Sequence, residues 1–372
     1  MTTRREGQAG SGGPGAGALG DRELLRRTSR TFALSVELLP GPLRGPVEAA
    51  YLLARVGDTV TDRGVAPAAV RIDQLERLRG AVASPAGAAG LDLPAQGGGD
   101  RDERATRAEA QLLAGTDRVL ERLPRLPSDD RSDVQRVVDR LLATMVGELR
   151  FFEEEGRAQG GLAALPDAAA LAAYTEGIAG CVGEFWTRLL VRHAWRGERP
   201  GAAGRSPAGP SFLARTRALV AEGRRYGRGL QLVNVLRDLP RDLRRGRCFL
   251  PADELCALGL TPADLLDPAA GSRVRPLLAR WQARARRGLF AGFAYAGRLR
   301  GAGWRVRAAT ALPAALGLAT LRVLEAAPIE ARLDPDEVLR VSRAEVRRIV
   351  ARTAVLALRP RWIARAARAP AG

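Results

Sequence analysis

The chain has 372 residues, of which 46% are hydrophobic and 27% are charged, so it can bury a substantial core and is not composed like a disordered chain. Its formal net charge of +18 comes from arginine alone, because the sequence has no lysine, and this charge favours anionic partners. Three cysteines without a CxxC pair argue against a disulfide framework and indicate a reducing, cytoplasmic compartment. The single histidine excludes a multi-histidine metal site.

The two ends of the chain differ in composition from the middle. Residues 1–20 are rich in glycine and lack an apolar core segment, so we expect a flexible tail rather than a signal peptide. A single domain is expected over 21–358, followed by a basic tail over 359–372. The basic, somewhat amphipathic composition around Trp362 suits contact with acidic lipid and suits a solvated tail equally well. No run of 18 or more uncharged apolar residues occurs, so no membrane-spanning helix is expected.

Apolar residues recur at helical spacing along most of the chain, and prolines or loops rich in Gly and Pro separate the segments. Strand signals are nearly absent, so the predicted fold class is all-α. The predicted helices cover about 21–39, 43–61, 101–122, 134–149, 168–193, a long segment from 211 onward, 274–300, 304–326 and 335–357.

The helix predicted over 43–61 carries a narrow polar stripe. Successive residues on a helix turn by about 100°, so positions i, i+4, i+7 and i+11 lie in one stripe roughly 60° wide. Those positions hold Tyr51, Arg55, Asp58 and Asp62. The rest of the segment is almost entirely apolar or small, whereas a surface helix carries charge over a broad face. The pattern therefore predicts a buried helix that lines a polar cavity.

Residues 231–242 contain a second polar stripe of the same kind. Polar residues at i, i+3, i+7 and i+11 stand among leucines and valines, and they are Gln231, Asn234, Asp238 and Asp242. Two such helices would present four carboxylates to one space, which is unfavourable unless cations lie between them. Oxygen ligands suit Mg²⁺, which commonly bridges carboxylates to substrate phosphates. We predict a Mg²⁺–diphosphate site. The alternative is that the acid pairs lie on the solvated faces of two surface helices. This alternative would be favoured for either pair alone, but not for the two pairs together.

Two further segments bear on this site. The basic turn over 244–251 follows the second acid pair and can reach diphosphate oxygens. The helix over 168–193 contains small residues at Gly177, Ala179, Gly180 and Gly183, which suit the close approach of either a bulky ligand or a neighbouring helix. His193, near the end of that helix, is more simply a helix-terminal residue than a catalyst.

These motifs are similar to those of the squalene/phytoene synthase family, in the family's order and spacing over most of residues 21–325. They are Ser29-Arg-Thr-Phe32, Tyr51-x3-Arg55-x2-Asp58-x3-Asp62, Tyr174-x4-Ala-Gly-x-Val-Gly183, and Gln231-x2-Asn-x2-Arg-Asp-x3-Asp242 with Gly246-Arg247. The resemblance implies an isoprenoid synthase helical bundle around a central apolar cavity. It also implies head-to-head joining of two prenyl diphosphates through a cyclopropyl diphosphate intermediate.

The resemblance further implies a role for each matching residue. The metal ligands would be Asp58, Asp62, Asp238 and Asp242, with Asn234 assisting. Diphosphate would be bound by Ser29, Arg30, Arg55, Arg237 and Arg247, of which Arg55 and Arg237 would also assist catalysis. Tyr51 and Tyr174 would line the reacting centre. The remaining substrate contacts would come from Phe32, Gln231, Val182 and Gly183.

The sequence departs from the family pattern within both acid motifs. Thr59, Thr61 and Arg241 are among the intervening residues, where family motifs often carry a further acid. Pro240 lies inside the second motif, removes an amide donor and is expected to bend that helix.

The finer prediction concerns the product. The segments 29–40 and 236–242 are most similar to bacterial squalene synthases, so farnesyl diphosphate is the favoured substrate and squalene the favoured product. NADPH would then supply a hydride from a site that the sequence does not locate. Synthesis of phytoene or dehydrosqualene without NADPH is the alternative within the family, and a terpene cyclase is a more distant one. Nucleic-acid binding is disfavoured because the arginines are spread through every segment instead of forming one patch.

Overall fold

The computed structural model describes residues 30–62, 66–85, 91, 93, 103–158, 160–194, 210–299 and 301–366. The expected flexible tail over residues 1–20 lies outside these ranges. The described part of the chain is almost wholly helical, which confirms the all-α prediction. Its strands are two residues each, β1 (Ala163–Ala164) and β2 (Arg247–Cys248), and they pair in parallel.

The first six helices precede β1. They are α1 (Arg30–Glu37), α2 (Gly41–Asp62), α3 (Ala68–Ala83), α4 (Glu103–Ala114), α5 (Thr116–Leu120) and α6 (Ser128–Ala158). The single helix predicted over 101–122 is two helices, because the backbone leaves the helical conformation at Gly115.

Nine helices follow β1 in the described chain. They are α7 (Ala168–Thr175), α8 (Cys181–His193), α9 (Pro210–Arg244), α10 (Ala252–Cys256), α11 (Gly271–Arg298), α12 (Gly303–Ala326), α13 (Ile329–Leu333), α14 (Arg343–Ala357) and α15 (Pro360–Ala366). A π-helical turn, Glu176–Gly180, joins α7 to α8. The helix predicted from 335 begins only at Arg343, because Ser342 accepts a hydrogen bond from the backbone N–H of Glu345 and caps the helix there.

The apolar residues form two clusters. The first lies between α2, α3 and α6 and includes Leu52, Leu75 and Leu142, which are fully buried. The second is centred on α9, α11 and α12. Helix α15 also packs onto it, with Ile363 completely buried, so this part of the expected C-terminal tail is folded against the protein. The basic residues of α15 lie on the other faces of the helix, so they do not interfere with that contact.

Helix α12 is, by length and composition alone, apolar enough to cross a membrane, which the sequence pattern did not predict. Within the structure, 56% of its most apolar window is buried, and it packs against α11 and α14. The helix therefore acts as a core element of this bundle.

The small residues between 177 and 183 lie where α9 crosses. A Cβ added to Gly183 would lie 1.9 Å from the carbonyl oxygen of Gly223, and one added to Gly227 would lie 2.0 Å from that of Ala179. Of the two explanations that the sequence left open, close packing of a neighbouring helix is therefore the one that the structure supports.

Candidate active site

A cavity of about 750 Å³ lies between α2, α6, α7, α9 and the turn after α9. Most of the candidate site residues that were predicted from the sequence line this cavity. Ten of them line it: Arg55, Asp58, Asp62, Tyr174, Gln231, Asn234, Arg237, Asp238, Asp242 and Arg247. The polar stripes of α2 and α9 therefore face one another, as their helical spacing predicts.

The carboxylates of α2 are held by arginines. Arg55 donates to Asp58 one turn later on the same helix, and its other terminal nitrogen lies 3.5 Å from Glu109 of α4. Asp62 accepts from Arg245, in the turn after α9, across 3.1 Å. The Nε of Arg55 is buried and has no hydrogen-bond partner among the described residues, so this guanidinium keeps one donor for a ligand.

The carboxylates of α9 are one helical turn apart. Helix α9 continues past Pro240 to Arg244, so Asp238 and Asp242 stand on the same face of one helix. Arg237 donates to Asp238 through two hydrogen bonds of 3.0 and 2.5 Å. The structure therefore keeps Asp242 in the cavity wall despite the proline.

The turn after α9 brings Arg247 into the cavity. Gly246 adopts a left-handed conformation with φ 77°, and Arg247 then pairs with Ala163 in the short parallel sheet. The guanidinium of Arg247 donates to Glu148 of α6 across 2.6 Å. A cation is thus fixed beside both acid pairs.

The aromatic part of the wall is built around Tyr174. Its ring stacks on Phe249, with centroids 4.5 Å apart, and Phe249 contacts Phe152 edge to face at 5.2 Å. Burial, with the nearby carboxylates of Glu148 and Asp242, raises the pKa of Tyr174 well above its ordinary value. The phenol therefore stays neutral and keeps its O–H as a donor.

Burial also raises the pKa of two aspartates in the cavity wall. Burial raises the pKa of Asp242 to about 7, against the attraction of Arg247 and with the help of repulsion from Asp238 and Glu148. Burial and the charge of Asp62 raise the pKa of Asp58. Burial therefore disfavours the charged form of both aspartates when no cation is bound.

The squalene/phytoene synthase family model matches residues 25–366 of the chain. The chain belongs to this family. A bifunctional lycopene cyclase/phytoene synthase of Phaeosphaeria nodorum is 27% identical over 258 residues, which make up 68% of this chain. The aligned region spans only 37% of that relative's length.

Solved structures of similar fold cover nearly the whole chain. The complex of TcSQS with the ligand E5700 has a TM-score of 0.66 and 19% sequence identity, covering 94% of this chain and 91% of that one. A dehydrosqualene synthase in complex with a ligand has a TM-score of 0.58 and 17% identity, covering 90% and 94%. At these identities the likeness establishes a shared helical fold.

The donor set of the cavity fits Mg²⁺. Four aspartates and the side chain of Asn234 offer oxygen atoms, which hard cations prefer, and a cation would relieve the repulsion that raises the pKa of Asp58 and Asp242. Among the described residues, however, no three acidic, histidine or cysteine side chains are close enough to share one ion. Arg55 and Arg237 occupy two of the aspartates, Asp58 and Asp238, in this structure.

Other residues selected by family resemblance lie elsewhere. Val182 is 39% exposed and Gly183 is packed against Gly223, and neither is among the residues that line the cavity, so their substrate contacts stay predictions. Tyr51 is half-buried against the first apolar cluster, one turn before Arg55, and is not part of the cavity wall. Ser29 and the side chains of Arg30 and Phe32 lie outside the described residues.

The structure adds residues that were not predicted from the sequence, above all Glu148 and Arg340, and it places Arg245 of the predicted basic turn in the cavity wall. A signal existed for Glu148, because it follows Met145 by three positions and so falls on the apolar stripe of α6. The cavity wall also contains more charged residues than the central apolar cavity that the family resemblance implies. Its apolar wall consists of Met145, Ile178, Val235 and Phe249.

Proposed function

We propose that the chain catalyses the Mg²⁺-dependent head-to-head condensation of two prenyl diphosphates. The observation that supports this most directly is the meeting of two acid pairs, from α2 and α9, across one cavity that also contains Arg55, Arg237 and Arg247. Membership of the squalene/phytoene synthase family supports the same reaction class.

The chemistry requires charge stabilisation more than proton transfer. Breaking the allylic C–O bond of one substrate leaves a carbocation and a diphosphate. The double bond of the second substrate attacks the cation, and loss of a proton closes a cyclopropane ring. Mg²⁺, held by Asp58, Asp62, Asp238 and Asp242, would supply positive charge to the diphosphate.

Residues of the chain itself bind the diphosphate and stabilise the carbocation. Arg247, fixed by Glu148, and Arg55, through its unused Nε, bind diphosphate oxygens as directed donors. The neutral phenol of Tyr174, supported by the ring of Phe249, faces the reacting carbons and stabilises the cation through its oxygen and ring face. The apolar part of the wall, Met145, Ile178, Val235 and Phe249, would keep water from the cation, which water would otherwise quench.

The finer proposal is that two farnesyl diphosphates give presqualene diphosphate and then squalene, with a hydride from NADPH. Similarity of the 29–40 and 236–242 segments to bacterial squalene synthases supports it. We assign no residues to NADPH. The name of the Phaeosphaeria nodorum relative favours the alternative, phytoene synthesis from a longer diphosphate without NADPH.

The decisive experiment incubates purified protein and Mg²⁺ with farnesyl or geranylgeranyl diphosphate, with and without NADPH, and analyses the hydrocarbon extract by mass spectrometry. Squalene only with NADPH is the expected result. Dehydrosqualene in both samples, or phytoene from geranylgeranyl diphosphate, would move the chain to the alternative. A cyclic product from one diphosphate, or product formed equally in EDTA, would refute the condensation mechanism.

We also propose a cytoplasmic protein that contacts the inner membrane surface. Trp304 and Trp362 are 38% and 36% exposed, and each has a guanidinium above its ring, Arg305 and Arg359 respectively, at 5.7 Å. Arg307 of α12 donates to the carbonyl of Ala357 across 2.8 Å, at the end of α14 and just before α15 begins. Residues 346–366 contain no acidic side chain. Tryptophan beside arginine suits an anionic lipid interface.

Co-sedimentation with vesicles tests this contact. We expect binding to phosphatidylglycerol vesicles but not to phosphatidylcholine vesicles, and loss of binding in Trp304→Ala/Trp362→Ala. The matched control is Leu266→Ala/Val338→Ala, which removes exposed apolar side chains elsewhere. Equal sedimentation of both double variants would contradict the assignment.

A further inference from the structure

A second, smaller cavity lies behind the candidate active site. It has a volume of about 250 Å³ and lies between α7, α9 and α11. Neighbouring residues on the same helices face the two cavities: Thr175 and Leu232 line the second, whereas Tyr174 and Gln231 line the first. The two cavities therefore share α7 and α9 as a common wall.

The sequence Arg-x2-Arg-Gly occurs on both of the long helices that form this cavity. It is Arg225-x2-Arg228-Gly229 on α9 and Arg284-x2-Arg287-Gly288 on α11. The two glycines touch, since a Cβ added to Gly288 would lie 2.6 Å from the Cα of Gly229. The helices run antiparallel, so each motif places its two arginines on its own side of the glycine contact. All four arginines line the one cavity.

Little negative charge balances these arginines. No acidic residue lines the cavity among the described residues. Arg228 lies 3.6 Å from Glu176, and the charge of Arg225 acts on Glu222, which is not part of the cavity wall. The guanidinium of Arg284 lies 5.0 Å above the ring of Trp281, which fixes its position. Arg225, Arg284 and Arg287 are exposed, so their side chains can converge on an anion in the cavity that they line with Arg228.

We propose that this cavity binds a diphosphate group. Four planar guanidinium groups offer paired N–H donors, which match phosphate oxygens better than they match a single small anion. The volume is below the roughly 300–1,000 Å³ of pockets that enclose drug-sized ligands, so the cavity admits a diphosphate but leaves any larger attached group outside. Inorganic diphosphate and a nucleoside diphosphate are the two sources of this group.

The site is distinct from the one proposed to hold the substrate, and its existence does not depend on the reaction. It does stand on the back of the helices that carry Tyr174 and Asp238, so a ligand there contacts the same secondary structure as the catalytic cavity. Product diphosphate is a ligand that such a site would meet during turnover.

Residue-resolved arginine labelling tests the proposal. The full chain is treated with phenylglyoxal in EDTA, with and without inorganic diphosphate, and the modified arginines are mapped by mass spectrometry. We expect diphosphate to protect Arg284 and Arg287 at least tenfold. Protection of only Arg55 and Arg247 would overturn this inference while supporting the active-site assignment. No protection at any of these arginines would overturn it as well.

Matched variants provide the binding measurement. Titration calorimetry with inorganic diphosphate should show at least tenfold weaker binding at one site in Arg284→Gln/Arg287→Gln. Arg347→Gln/Arg348→Gln, which removes the same charge from exposed positions of α14, should bind like the parent. Unfolding temperatures confirm that both variants fold, and unchanged binding in the first variant refutes the site.

A parallel labelling arm with adenosine diphosphate separates the sources. Equal protection by both compounds shows that the diphosphate group alone is recognised. Stronger protection by adenosine diphosphate assigns the site to a nucleotide whose base contacts the rim. Protection by neither at millimolar concentration rejects the proposal.

Discussion

Arg247 and Glu148 form an ion pair of 2.6 Å whose side chains are only 10% and 7% exposed. Because a buried charge that loses its partner is left uncompensated, Glu148→Ala should destabilise the protein by about 3 kcal/mol. Glu148→Gln keeps an acceptor and should cost less. Both should raise KM, since Arg247 loses its orientation. Thermal unfolding and steady-state kinetics measure these effects.

The control for this pair is Glu153→Gln, which breaks an exposed i, i+4 pair with Arg157. It should change stability by no more than about 0.5 kcal/mol and leave KM unchanged. Equal effects of the two glutamine variants would contradict a positioning role for Glu148.

Replacement of either central aspartate tests the metal assignment. Asp58→Asn and Asp238→Asn should each lower kcat by several orders of magnitude, because the diphosphate loses part of the charge that stabilises its departure. The fold should persist, since burial already disfavours the charged form of Asp58. Asp139→Asn, at an exposed carboxylate of α6, is the matched control. Near-normal turnover in either test variant would remove the metal-site proposal.

The phenol of Tyr174 is expected to act in the chemical step. Tyr174→Phe keeps the ring stacked on Phe249 but removes the hydroxyl, so kcat should fall on the order of a hundredfold with little change in KM. Tyr226→Phe makes the same change where the hydroxyl donates to the carbonyl of Thr310 across 2.8 Å. It should cost about 1 kcal/mol of stability and leave kcat unchanged. A rise in KM alone for Tyr174→Phe would argue against this role.

The close packing of Gly183 against α9 predicts a stability defect in a larger residue at this position. An added Cβ would overlap the carbonyl of Gly223, and neither backbone can yield easily, so Gly183→Ala should destabilise by about 3 kcal/mol. Gly147→Ala, at a helical glycine of α6 with open space around its Cα, should instead stabilise by about 1 kcal/mol. Chemical denaturation compares the two. Loss of activity without loss of stability in Gly183→Ala would support a substrate role.

Asp242 makes the metal-free protein sensitive to pH. Its pKa rises from 3.8 to about 7 on folding, so the folded state binds more protons and this residue's contribution to stability falls as pH rises from about 4 to 7. In EDTA at pH 8, Asp242→Asn should therefore melt a few degrees higher than the parent, and the difference should vanish near pH 4.

Asp264→Asn is the control for that measurement. Hydrogen bonds from the backbone and side chain of Thr261 lower the pKa of Asp264, so removal of its charge should not stabilise the protein at pH 8. If Asp242→Asn also fails to stabilise, its carboxylate is not buried beside like charges.

Helical periodicity was enough to predict the fold class. It also predicted that α2 and α9 face one another, because a narrow polar stripe on an otherwise apolar helix is best placed towards an internal polar cavity. The same reasoning could not find the Glu148–Arg247 pair, whose partners are far apart in sequence. Nor could it choose between ligand and helix beside Gly183, since both need small residues. The start of α14 was placed too early because apolar spacing alone does not reveal the cap formed by Ser342.

The pairing of Ala163 with Arg247 has a consequence for how the protein is made. These residues are roughly eighty positions apart, so the loop between them must close before Arg247 is held in place, and such non-local contacts form slowly. A ribosome-bound chain that ends just before residue 247 already contains nine of the fifteen described helices and both acid pairs, but it lacks Arg247. Substrate-binding competence should consequently appear late in synthesis, after the two halves of the bundle have docked.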